Sequence, residues 1–255
     1  MKIIEVKIVK LDTAKWSAEI VKDYVAEDRQ LQIFLNGKLY ATMSCSPDDL
    51  KELAIGHLLS DGLIKALEEI EEITIEETGV CSINVRTRPG VSRGSSRVIA
   101  ATYSKPKNHT LKRLCKVRSN IMVKAETILK CVETLSKIAE TYRKTGGVHV
   151  AAIYKGDGSL ICFAEDVGRY NAVDKAIGKC ALAKANFNEC LLAVSGRLSS
   201  DMVSKAATVR IPIIASISAA LSSGVKVAKA ANITLIGFVR GNRMNIYNAA
   251  ERIIS

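Results

Sequence analysis

The sequence predicts an α/β fold: an open, largely parallel sheet with helices, preceded by a smaller β-rich α+β unit. Two observations predict it. After about residue 147, short β-branched runs ("GVHVAAIYK", "SLICFAED", "CLLAVSG", "IPIIASIS", "ITLIGFVRG") alternate with helical patterns, as strands linked by helical crossovers do. The first 45 residues instead alternate apolar and polar side chains, the period of half-buried strands. At 255 residues, 48% apolar and 25% charged, the chain has an ordinary globular composition and length for one large or two small cores. It contains no apolar run near the roughly 20 residues that span a bilayer. Met1 leads directly into a strand pattern, so no signal peptide and no membrane association are expected. Seven cysteines without framework spacing predict reduced thiols and a cytoplasmic location.

Element by element, "LQIFLNGKLYATMSC" reads as a hairpin turning at Asn36-Gly37, because both turn positions need positive φ. In "SPDDLKELAIGHLLSDGLI" a helix is expected, with Ser46 as cap, Pro47 in the first turn, and Asp48 and Asp49 at its positive end. Leu50, Leu53, Ala54 and Leu58 form its apolar face, and His57 beside them reads as a packed histidine rather than a ligand. Six glutamates between Glu68 and Glu77 surround Ile70, Ile73 and Ile75, an edge strand with an acidic face. The strand "GVCSINVRTR" then enters a Gly/Ser/Pro-rich basic loop, about 88–118, which divides the chain into 1–118 and 119–255. Residues 119–143 read as one long helix, with Ala125, Ile128, Leu129, Val132, Leu135, Ile138, Ala139 and Tyr142 at helical spacing. Two strands pair across Gly156-Asp157-Gly158, and helices follow near Asn171, in "SSDMVSKAATV" and in "SGVKVAKAA".

The net charge of +11 is unevenly spread. Arg86, Arg88, Arg93, Arg97, Lys105, Lys107, Lys112, Arg113, Lys116 and Arg118 form a strip of ten positive charges without one Asp or Glu. Such a strip suits a nucleotide, a nucleic acid or an acidic protein. Tyr103 is its one aromatic residue, which argues against stacking on single-stranded bases, so nucleic acid is the least favoured partner.

Four strand ends carry polar or glycine-containing turns: Glu165-Asp166-Val167-Gly168-Arg169, Ser195-Gly196-Arg197, Ser216-Ile217-Ser218, and Phe238 through Arg243. Open α/β sheets bind ligands beyond the carboxyl ends of their strands. Glycines admit a close backbone approach there, and arginines pair with phosphate or carboxylate. The strand ends therefore predict a site for an anionic ligand. Arg169, Ser195, Gly196 and Arg197 are candidate contacts, and Asp166 and Asp174 hold arginines or lysines in place.

The segments "EDVGRYNAVDKAIG", "SGRLSSDMVSKAA", "ITLIGFVRGNRMNIY", "TGGVHVAAI" and "LNGKLYATMSCSPDDLKELAIGHLLSDGLI" closely resemble the FdhD/NarQ family of formate dehydrogenase accessory proteins. The resemblance runs from about residue 30 to the C-terminus. It implies a cytidine-deaminase-like C-terminal domain with a smaller N-terminal one, and a homodimer. It also implies a sulfurtransferase that moves persulfide sulfur from a cysteine desulfurase to the molybdenum (or tungsten) bis(molybdopterin guanine dinucleotide), bound as substrate, for formate dehydrogenase. GDP-like ligands should bind and no metal is held directly. The resemblance assigns the cofactor contacts to Phe238, Val239, Arg240, Gly241, Asn242 and Arg243.

The family's sulfur carrier is a Cys-Gly-x-Cys loop before the long helix. Here "HTLKRLCKVRSN" retains Cys115 alone, with Lys112 and Arg118 three residues to either side. Lys112, Arg113, Lys116 and Arg118 would favour the Cys115 thiolate, the form that attacks sulfur. Two readings stand: a persulfide carrier using Cys115 as its catalytic residue, and a chaperone that binds the cofactor without transferring sulfur. Zinc deaminase chemistry requires H-x-E and P-C-x-x-C, and neither occurs.

Overall fold

The computed structural model describes residues 3–77, 79–90 and 116–255, and the backbone of 97–98. In chain order it runs β1 (Ile3–Asp12), β2 (Ser17–Ala26), β3 (Arg29–Leu35), β4 (Lys38–Cys45), α1 (Leu50–Ser60), β5 (Ile70–Glu76), β6 (Cys81–Thr87), β7 (Arg97–Val98), β8 (Val123–Lys124), α2 (Ala125–Ile138) and α3 (Glu140–Thr145). Then come β9 (His149–Lys155), β10 (Leu160–Asp166), α4 (Arg169–Leu182), β11 (Cys190–Val194), α5 (Ser200–Thr208), β12 (Ile213–Ser216), α6 (Ser222–Ala231), β13 (Thr234–Arg240), β14 (Arg243–Asn248) and β15 (Ile253–Ile254).

Two sheets dominate, in the orders β5-β6-β3-β4-β7 and β10-β9-β11-β12-β13-β14. The β3–β4 hairpin turns at Asn36 (φ 50°) and Gly37 (φ 74°), the primed geometry its dipeptide predicts. The glutamate-rich β5 is an outer strand, and Glu71 and Glu72 take Arg86 of the basic strip at 3.3 and 3.0 Å.

The larger sheet is mixed rather than largely parallel. β11, β12 and β13 run parallel, while β10–β9, β9–β11 and β13–β14 are antiparallel. Helical crossovers serve the middle of the sheet. Its edges close as hairpins through Gly158 (φ 87°) and Gly241 (φ 55°), and tight turns join only antiparallel strands. The expected helix over 119–143 is two helices meeting at Ala139 (φ −93°, ψ 94°). Glu165 accepts from the Tyr142 N–H at 2.7 Å and caps the second helix, while Arg143 donates to the Ser136 and Lys137 carbonyls that end the first. Residues 123–124 pair with β15 instead.

One buried cluster runs from Leu31 and Ile33 of β3 through Leu53 and Leu58 of α1 and Val173 and Ile177 of α4 to Ile153 and Leu192 of the larger sheet. The α1–α4 crossing is close because two glycines meet there. A Cβ on Gly56 would lie 1.7 Å from the Asp174 carbonyl oxygen, and one on Gly178 would lie 2.0 Å from that of Glu52. A second cluster covers the sheet's other face, with Ile128, Val132 and Leu135 of α2 against Val150, Ile213, Ile236 and Val239. The β1–β2 hairpin stands apart, and Val9, Trp16 and Ile20 on it are exposed. Among the described residues no helix is long and apolar enough to cross a membrane.

Candidate functional site

The carboxyl ends of β10, β11, β12 and β13 and the amino end of β9 lie along one edge of the six-stranded sheet. A pocket of about 250 Å³ opens there between the sheet and α2. Ser195, Ile217, Val239, Arg240 and Gly241 line the sheet side, and Leu129, Val132, Glu133, Ser136 and Tyr142 the helical side. The expected contacts Ser195, Val239, Arg240 and Gly241 thus share one cavity. The wall from α2 was read in the sequence as core; helical periodicity identifies an inward face but not whether it meets a cavity.

The β13–β14 hairpin sets the remaining contacts. The ladder shifts between Gly237 and Arg240, and Phe238 adopts φ 52°, a left-handed conformation that costs a non-glycine residue on the order of 1–3 kcal/mol. The bulge turns Phe238 outward and buries Val239 beneath the pocket. Arg240 and Arg243 face each other as cross-strand partners at the closing turn, both exposed. Like charges directly opposed are unfavourable without an anion between them. The Nε of Arg240 donates to the Ile217 carbonyl at 2.9 Å, which orients its guanidinium across the rim. Phe238, Asn242, Arg243 and Arg197 do not line the cavity.

Behind Ser195 lies a polar group that sequence reading passed over. The Ser195 Oγ accepts from the Val150 N–H at 2.9 Å and lies 3.2 Å from His149 Nδ1. Ser195 Oγ and His149 Nδ1 share one hydrogen bond. Burial, and then the charge of Arg169, hold the His149 imidazolium below its usual range, so this ring is neutral at pH 7. Arg169 is stacked over Tyr170, 4.3 Å from the ring centroid, and a Cβ on Gly196 would sit 3.2 Å from the Arg169 Cβ. Arg169 and Gly196 therefore form the layer behind the pocket.

The rest of the charged stretch after β10 fastens the layers together instead of forming a wall. Asp166 takes Lys175 Nζ at 2.8 Å, the Gly168 N–H at 2.8 Å, Asn171 Nδ2 at 3.0 Å and the Ser46 N–H at 3.0 Å. Ser46 accepts from the Val167 N–H and, through its carbonyl, from Lys175. It is a tether to α4 and not the expected helix cap, and α1 begins four residues later. Asp48 and Asp49 likewise face Lys175 and Lys179, at 3.9 and 2.6 Å.

Asp174 receives Lys205 Nζ at 2.7 and 2.8 Å, His57 Nδ1 at 2.9 Å and Ser60 Oγ at 2.6 Å. All four side chains are buried, so His57 is packed as expected, though within a polar network. Both aspartates hold lysines in place.

Cys115, Lys112 and Arg113 lie outside the described residues, as do Arg93, Lys105 and Lys107 and the side chain of Arg97. Past that segment, the Val117 N–H donates to the Ala231 carbonyl at 2.8 Å, and Asn188 Nδ2 donates to that of Arg118 at 2.8 Å. Ala231 and Asn188 precede β13 and β11. The chain is therefore anchored at the amino ends of these strands, on the edge opposite the pocket.

A family model described as the FdhD/NarQ family matches residues 26–254. The chain is 38% identical to a protein of Sulfolobus acidocaldarius named sulfur carrier protein FdhD, over 99% of each chain. It is 35% identical to the protein of that name from Sulfurisphaera tokodaii, over 98% of this chain and 100% of the relative. A crystal structure described as a putative formate dehydrogenase accessory protein, from Desulfotalea psychrophila, superposes with a TM-score of 0.86 at 30% identity, covering 99% of both chains.

Proposed function

The chain belongs to the FdhD/NarQ family, and from that premise we propose that it is a cytoplasmic sulfur carrier for formate dehydrogenase, acting as a homodimer. Its donor is a cysteine desulfurase, and its acceptor substrate is the molybdenum or tungsten bis(molybdopterin guanine dinucleotide). In the loading step the Cys115 thiolate attacks the outer sulfur of the donor persulfide. The donor's S–S bond breaks, the donor cysteine leaves as thiolate, and Cys115 becomes the persulfide. Lys112, Arg113, Lys116 and Arg118 favour the attacking thiolate.

The observation that carries this reading is the convergence of Ser195, Arg240 and Gly241 on one pocket, with two arginines opposed at its rim. That arrangement suits a GDP-like diphosphate, whose charge would lie between Arg240 and Arg243. The parallel strands β11 to β13, their helical crossovers and α2 on one face also support a deaminase-like architecture for the C-terminal half.

The missing C-x-x-C favours a second reading, a chaperone that binds the dinucleotide without carrying sulfur. Mass spectrometry after incubation with a cysteine desulfurase and cysteine separates the two. One added sulfur on the Cys115 peptide, absent in Cys115→Ala, supports the carrier. No added sulfur, with the desulfurase active on another acceptor, supports the chaperone.

A further inference from the structure

Three cysteines meet away from the pocket. Cys162 lies on β10, the outer strand of the six-stranded sheet, Cys180 near the end of α4, and Cys190 at the start of β11. The Cys162 Sγ is 3.3 Å from the carbonyl oxygen of Ala176, one turn before Cys180, and the Cys190 Sγ is 3.2 Å from that of Asn186. Cys180 is the neighbour of both other cysteines and is fully buried, whereas Cys162 is partly exposed. Lys179, beside Cys180, donates to the carbonyl of Phe163, beside Cys162, at 3.2 Å. A partly exposed cysteine thus has a cation nearby and a second cysteine beside it.

We propose that Cys162 and Cys180 form a hydroperoxide-reactive thiol pair, in which Cys162 attacks and Cys180 resolves. The Cys162 thiolate attacks the terminal oxygen of a hydroperoxide, forming an S–O bond as the O–O bond breaks. The leaving oxygen takes a proton and departs as alcohol or water, and Cys162 becomes the sulfenic acid. The Cys180 sulfur then attacks that of Cys162, its proton leaves with the hydroxide as water, and the S–S bond forms. Two thiols lose two electrons and the hydroperoxide gains them.

The division of roles follows from the surroundings. The hydrogen bond from Cys180, and then the Lys179 ammonium, bring the Cys162 thiol below its ordinary value despite its burial. Cys180, hydrogen-bonded to both other sulfurs, is pushed far up. Cys45 and Cys131 are pushed up to about 12 and about 11, chiefly by burial, and are poor nucleophiles. A metal site is not the alternative, because among the described residues no group of His, Cys, Asp or Glu side chains is arranged to hold one.

The test uses the full chain carrying Cys115→Ser, so that Cys115 takes no part in the reaction. After one equivalent of hydrogen peroxide, alkylation and digestion, mass spectrometry should find the Cys162 and Cys180 peptides joined and two hydrogens lighter. In a Cys180→Ser variant dimedone should label Cys162. In Cys162→Ser, peroxide consumption should slow at least about tenfold, as expected when the low-pKa thiol is lost. Cys162 left fully reduced in the Cys115→Ser chain, or a Cys180–Cys190 link with Cys162 unmodified, would overturn the proposal, and neither observation needs a variant of the cluster to fold.

Discussion

Asp174→Asn tests the polar network between the layers. Asp174 is 1% exposed and accepts four hydrogen bonds from three side chains. Asparagine has nearly the same shape but no charge, and its amide nitrogen must face either the Lys205 ammonium or another donor. Lys205 is itself 8% exposed and would lose the carboxylate with which its ammonium is paired at 2.7 Å. Breaking one side of a buried ion pair costs about 3–5 kcal/mol. In a chain of this size each kcal/mol lowers Tm by about 2–4 °C, so a fall of about 6–20 °C is expected. The exposed Lys137–Glu133 pair, at 2.6 Å, is screened by solvent and serves as the control. Thermal melts followed by circular dichroism at pH 7 measure the loss. Asp174→Asn combined with Lys205→Met should lose less Tm than the sum of the single losses, since no lone charge then remains buried. A Tm within about 2 °C of the parent for Asp174→Asn, below the whole range worked out above, would refute the reasoning.

Three further outcomes follow from other parts of the molecule. Burial pushes the Asp174 carboxyl up, but Lys205 and His57 outweigh it and hold the group below its usual range; its stabilisation is present above the ordinary carboxylate range and lost as pH falls through the lowered value. An acid titration of Tm should therefore show a loss in that window which Asp174→Asn lacks. Arg240→Ala should weaken GDP binding by about 1.5–3 kcal/mol, roughly tenfold or more, in calorimetric titration, and unchanged affinity in both Arg240→Ala and Arg243→Ala would remove the phosphates from this turn. Gly178→Ala should destabilise strongly, because its Cβ meets backbone rather than a movable side chain, while Gly79→Ala, with open space but φ 76°, should cost about 1 kcal/mol by chemical denaturation.

Features set by short-range rules were legible in the sequence. Asn36-Gly37 specifies its turn without reference to anything distant, and the glutamate run announces an outer strand because so many carboxylates cannot be buried. Periodicity located α1 and the face of α2. What it could not supply were distant partners. Ser46 looks like a cap because capping is local, yet its partners lie 120 and more residues away. The break at Ala139 depends on Glu165 reaching across from β10, and β14 begins at Arg243, where the expected ligand turn ends. Arg240 was identified by chemical type, whereas the second wall of its pocket required knowing which face α2 presents to the sheet.

The α1–α4 crossing bears on how the chain reaches its native state during synthesis. Nine of the eleven residues of α1 are buried, and its polar contact with Asp174 spans 117 positions. At translation rates of about 5–20 residues per second, His57 emerges roughly 6–23 s before its partner. Contacts of such sequence separation also slow folding itself. Through that interval an apolar helix has only the small sheet to cover it, so the nascent chain exposes apolar surface that the finished protein buries against α4.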